Sequence, residues 1–106
     1  MKIKVPRQVQ IGSHTYSIVK SQKELGDGNF YGEVNHRLQL IRINSERPPS
    51  QCAEALLHEL LHIVDTILLR DKLDENRISL LSEGLSQAIY KGLNIELDWG
   101  DIPEEK

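Results

Sequence analysis

The segment Ala53-Glu54-Ala55-Leu56-Leu57-His58-Glu59-Leu60-Leu61-His62-Ile63-Val64-Asp65 reads as an amphipathic helix. Apolar residues fall at Ala53, Leu56, Leu57, Leu60, Leu61, Val64, Ile67 and Leu68. That is the i, i+3, i+4, i+7 series that gathers them on one side of a helix. At about 100° per residue, His58, His62, Asp65 and Leu69 form a neighbouring stripe on its flank. No Gly or Pro interrupts Gln51 to Leu69. Just ahead, Pro48-Pro49-Ser50 suits a helix start, because Pro is tolerated in the first turn and Ser is a good N-cap. The helix is expected to lay its apolar side on a core and to keep the histidines beside it.

Those histidines belong to His58-Glu59-Leu60-Leu61-His62, an H-E-x-x-H match. Two histidines four apart sit one turn apart on one helix face. Both imidazoles can reach one zinc ion through bonds of about 2.0–2.1 Å. The glutamate after the first histidine can take a proton from a zinc-activated water. A single histidine here would be an ordinary helix residue. Two of them, with Glu59 between, point to a zinc site.

A catalytic zinc usually takes three protein ligands and keeps one position open for water. No histidine follows His62, so the metzincin pattern H-E-x-x-H-x-x-G-x-x-H is absent. His14 and His36 lie in predicted turns and are expected at the surface. Three carboxylates remain. Glu83 would lie level with His62 if a second helix ran antiparallel after a short loop, but on that helix's polar side. Glu75 sits beside Ser79 and Ser82 at the edge of the apolar stripe, near the helix start, where acids are favoured in any case. Asp65, one turn beyond His62, suits orienting an imidazole or the fold better than direct ligation.

The rest of the chain supplies the frame. Lys2 to Val5 alternates, as a short strand or arm stopped by Pro6. Residues 8–20 read as a β-hairpin turning at Gly12-Ser13. Gln22 to Asn29, with Gly26-Asp27-Gly28-Asn29, is a plain loop rather than a phosphate cradle, since no Lys-Ser/Thr follows. Phe30 to Val34 is a predicted third strand. Leu38 to Ile43, with apolar residues on both faces, is a fourth. After the charged connection Arg70-Asp71-Lys72-Leu73, a second helix is predicted over Asp74 to Lys91, with Ile78, Leu81, Leu85, Ala88 and Ile89 as its buried stripe. Gly84 would let the two helices approach closely, and Gly92-Leu93-Asn94 is the stop. Trp99 is expected to fold back onto the core. The expected architecture is α+β: an antiparallel sheet of about four strands, then two antiparallel helices, with the motif on the first.

At 106 residues this is one expected domain, 1–106, with flexible ends at about 1–6 and 100–106. The formal charge of −3, without a basic block, gives no support for nucleic-acid binding. Cys52 is the only cysteine, so no intrachain disulfide can form, and a small buried or half-buried thiol is the expectation. Met1 to Pro6 has no apolar h-region, and the apolar runs are too short to cross a bilayer. A cytoplasmic protein without a membrane partner is expected.

The run Ile41-Arg42-Ile43-Asn44, then Leu56-Leu57-His58-Glu59-Leu60-Leu61-His62, then Leu73-Asp74-Glu75 with Ile78, Leu81 and Gly84-Leu85, resembles small metallopeptidase-like proteins of phages and mobile elements. These are related in pattern to the ImmA/IrrE-type zincin metallopeptidases. The likeness runs from about Tyr16 to Tyr90, with H-E-x-x-H as its specific core. It implies a zinc-dependent peptidase of zincin-like fold acting on a peptide or protein substrate, with Glu59 as general base. It also implies Glu75 as third ligand, since Glu75-Asn76-Arg77-Ile78 fits an E-x-x-(Val/Ile) setting; level-matching of the helices favours Glu83. The strand around Leu38–Ile43 would hold the peptide extended. The chain departs from the longer ImmA/IrrE-type proteins at Leu61, where they have a small residue, and shows no counterpart of their later segment or DNA-binding domain. The likeness therefore does not carry repressor cleavage with it. A rival expectation is a non-enzymatic interaction protein that zinc merely staples, marked by a fourth protein ligand in place of water. Nothing in the sequence fixes an oligomeric state.

Overall fold

The structure, a computed structural model, describes residues 1–21, 32–44 and 46–105. The predicted loop at Gln22–Asn29, and Phe30 and Tyr31 of the predicted third strand, lie outside the described residues. The chain is α+β. Gln8–Ile11 (β2) and His14–Ser21 (β3) form the expected antiparallel hairpin. Gly12 turns it at φ 61°, and a Cβ there would stand 3.1 Å from the Ile67 side chain, so the turn needs glycine twice over. Gly32–Asn35 (β4) and Leu40–Asn44 (β5) form a second antiparallel pair.

The two pairs join through β3 and β5, which run parallel, Ile18 beside Ile41. The sheet order is β2-β3-β5-β4. The sheet is therefore mixed, not antiparallel throughout as expected. Alternation has the same period in parallel and antiparallel strands, so it carries no direction. Of the apolar residues on the two faces of the fourth predicted strand, Ile41 and Ile43 are buried and Leu40 is half-buried, while Leu38 lies outside β5 and is exposed.

Lys2–Lys4 (β1) pairs in parallel with Glu96–Asp98 (β6) as a separate small sheet. The end regions expected to be flexible contribute to the core: Val5 and Ile102 are both buried in it. The tail also bonds to β3, where Lys20 N–H donates to Pro103 O at 2.8 Å and Glu105 N–H to Lys20 O at 2.7 Å.

Pro49–Val64 (α1) packs on the sheet, continued by a π-helical turn at Asp65–Leu69. Ile18, Ile41, Ile43 and Ile63 are fully buried between the layers, each worth about 1.5–3 kcal/mol of burial. The Cys52 thiol is buried, as expected. It donates to Asn44 O and Arg47 O at 3.4 Å, tying the start of α1 to β5. Trp99 packs against the core.

Glu75–Gln87 (α2) packs on α1, and its orientation corrects the sequence reading. Its buried residues are Ile78, Ser82 and Ser86, whereas Leu81 and Leu85 are 44 % and 43 % exposed. The serines satisfy themselves: Ser82 Oγ donates to Ser79 O and Ser86 Oγ to Glu83 O, each at 3.0 Å. Self-satisfied small residues cost little to bury and let a helix sit close. Gly84 does not mediate that approach, because nothing lies within 4 Å of a Cβ built there. No helix among the described residues is long and apolar enough to cross a membrane.

Candidate metal centre

His58 and His62 lie on α1 as the periodicity requires, partly buried on the flank of its apolar side. Their Nε2 atoms stand 3.2 Å apart. Glu75, the first residue of α2, lies across both: Oε1 is 2.7 Å from His58 Nε2, and Oε2 is 2.9 Å from His62 Nε2. Its side chain is 59 % exposed, so the cluster is open on that side. Ile78, Ser82 and Ser86 share Glu75's face at helical spacing, so the turn of α2 that buries the serines also aims Glu75 at α1. Glu83 is exposed and makes no ion pair with either histidine.

Glu59 is 6 % exposed, and its Oε2 has no hydrogen-bond partner among the described residues. Burial pushes its carboxyl from 4.5 up to about 7, reinforced by the negative charges of Glu75 and Glu33. His58, Glu59 and His62 each offer a donor atom, all within 4.8 Å of one another. The shorter convergence is that of the two imidazoles with Glu75.

This donor set fits zinc. Bonds of about 2.0–2.1 Å in a tetrahedron put neighbouring donors about 3.3 Å apart. The two Nε2 atoms stand 3.2 Å apart, and Glu75 meets them with different oxygens, Oε1 at 2.7 Å and Oε2 at 2.9 Å, so a shared ion would need the carboxylate to draw back by about half an ångström. Two imidazole nitrogens that close, both turned to one carboxylate, require a shared cation or protons between them. Two imidazole nitrogens and a carboxylate are donor types that zinc accepts.

The structure bears on two expectations about the surroundings of the cluster. The strand around Leu38–Ile43, expected to hold a peptide, is β5, whose two edges are taken by β3 and β4. The edge strand beside α1 is β4. Gly32 there lies so close that a Cβ would meet Arg42 O and Ile43 Cδ1 at 3.0 Å and Ala55 Cβ at 3.5 Å. The second concerns Asp65, expected to orient an imidazole or the fold: it is buried, and its carboxylate accepts from the backbone of the connection to α2. His14 and His36 lie off the site: His36 Nδ1 is 3.0 Å from Tyr16 Oη, and His14 Nδ1 is 3.0 Å from Gln39 Nε2.

No family model, curated protein or solved structure matches the chain.

Proposed function

We propose that the protein is a zinc-dependent metallopeptidase in which His58, His62 and Glu75 hold the metal and Glu59 is the general base. The observation that carries this reading is the meeting of both Nε2 atoms with the Glu75 carboxylate on the open side of α1. Zinc held there would polarise a water and the carbonyl of a peptide bond. Glu59, one residue from His58 and with its carboxyl raised to about 7, can accept a proton near neutral pH and return it to the leaving amine. Among the described residues the outer edge of β4 has no strand partner, and such an edge offers backbone donors and acceptors to an extended peptide, which supports a protein or peptide chain as the substrate.

A second reading makes Glu59 a fourth ligand, closing the site into a structural staple of an interaction protein. The grouping of His58, Glu59 and His62 within 4.8 Å favours it. The solvent-open side at Glu75 favours the enzyme.

One set of variants separates them. Zinc content and cleavage of unstructured protein substrates are measured for the wild type, His62→Ala, Glu75→Ala, Glu83→Ala and Glu59→Gln. The enzyme reading expects near-stoichiometric zinc in the wild type, Glu83→Ala and Glu59→Gln, loss in the other two, and no turnover by Glu59→Gln. Zinc lost from Glu59→Gln would establish the staple. Zinc-loaded Glu59→Gln cleaving as fast as wild type would remove the proposed base.

A further inference from the structure

Glu75 is largely solvent-exposed and its described contacts are the two histidines themselves. Its own surroundings therefore do not explain why it stands where it does. The backbone leading into α2 does. We propose that Asp65 is the positioning residue of this centre: its buried carboxylate clamps the connection that carries Glu75 onto the helix that carries the histidines. The inference rests on the metal-centre reading above.

Asp65 is 5 % exposed and lies three residues past His62. Its Oδ1 accepts the backbone N–H of Lys72 at 2.8 Å and that of Leu73 at 3.0 Å. Its carbonyl accepts the N–H of Asp71 at 3.0 Å. Arg70 and Asp71 have φ of 58° and 60°, the left-handed region that few side chains favour. They reverse the chain so that it runs back along the helix it has just left. Lys72 and Leu73 are thereby brought level with Asp65, and Glu75, two residues on, is brought level with the histidines. Asp74 then caps α2 through Oδ1 to Arg77 N–H at 2.8 Å.

One buried carboxyl oxygen that accepts two successive backbone N–H groups ties both to a single point on the first helix. It is a rigid link between the two halves of a ligand set that come from different helices. Without it the reversal at Arg70 and Asp71 has lost what holds it, and Glu75 is left on a connection free to swing outward.

The test is zinc affinity, by competition with a chromogenic chelator, with thermal unfolding of the metal-free protein alongside. Asp65→Ala should bind zinc about 10–100-fold more weakly, the range seen when residues that orient metal ligands are removed. Asp65→Asn keeps the oxygen acceptor and loses the charge, so it should stay within a few-fold of wild type. In a Glu75→Ala background, Asp65→Ala should cost almost nothing further, because it acts through Glu75. The visible spectrum of the cobalt-loaded protein should change in Asp65→Ala and be restored in Asp65→Asn. Should Asp65→Ala not fold, Asp65→Ser, whose hydroxyl leaves room for a bridging water, takes its place in each comparison.

Asp65→Ala with wild-type zinc affinity overturns the proposal, as does an equal loss with and without Glu75, or Asp65→Asn as weak as Asp65→Ala. These outcomes leave the metallopeptidase reading standing. No zinc uptake by the wild type overturns both.

Discussion

Replacing Glu59 by Gln isolates one buried acid and has a pH signature of definite sign. In the folded chain burial holds the Glu59 carboxyl at about 7, against 4.5 for the free group. The folded state thus keeps a proton that the unfolded state releases, and stability falls as pH rises through that window and levels off above it. Across the window from 4.5 to about 7, at about 1.4 kcal/mol per pH unit, ionising Glu59 costs roughly 3 kcal/mol. Glutamine has the shape of the protonated acid and never ionises. Urea unfolding of the metal-free wild type and Glu59→Gln, stepped from about pH 4.5 to 8, reads the difference, since titrations not coupled to Glu59 cancel. The two should be nearly equal at the acid end, with Gln about 3 kcal/mol more stable at the alkaline end. Zinc should flatten the difference, because a cation beside the carboxylate favours its charged form. A difference that does not vary with pH would refute the reasoning: Glu59 would then be ionised throughout and its charge matched by a partner.

Two glycines should respond in opposite directions to alanine. Gly32→Ala puts a Cβ 3.0 Å from Arg42 O and Ile43 Cδ1 and should destabilise by about 1–3 kcal/mol, while Gly84→Ala meets nothing within 4 Å and should stabilise α2 by about 0.5–1 kcal/mol, both by urea unfolding. On the same helix, Leu81→Ser should change stability by only about 0.5 kcal/mol or less, whereas Ser82→Leu, which forces bulk into the α1–α2 contact, should cost about 1–3 kcal/mol and weaken zinc binding with it. Ile63→Ala, deleting a side chain with no exposed surface, should cost about 2–5 kcal/mol in the same assay.

The motif helix was legible because its signals agree: an uninterrupted apolar series, a Pro and Ser start, and two histidines on one flank. The hairpin of residues 8–11 and 14–21 was legible from alternation broken by Gly12. Strand direction was not, since it depends on which edge a distant segment finds. The face of α2 was misread for another reason. Its most apolar stripe runs through Leu81 and Leu85, but among the described residues α2 packs chiefly on α1 rather than on the sheet. A contact that narrow is met by Ile78 and two serines that bond their own backbone. Hydrophobicity predicts which face is buried when the partner is a broad core, and says less when the partner is one other helix.

The choice between Glu75 and Glu83 turns on the same point about partners. Level-matching favoured Glu83 by taking the helices as antiparallel with a short loop between them. Asp65 draws the backbone at Lys72 and Leu73 back beside itself, so the connection between the helices spends its length retracing the last turn of the first. Each residue of that retreat moves the level of the histidines toward the start of α2, and it ends with Glu75 between them. The information was in the sequence as an Asp three residues after the second histidine, followed by a connection too polar to pack. Only the fold tells what that Asp holds. A site whose donors come from two helices is specified less by the helices than by the few buried polar atoms that fix their spacing.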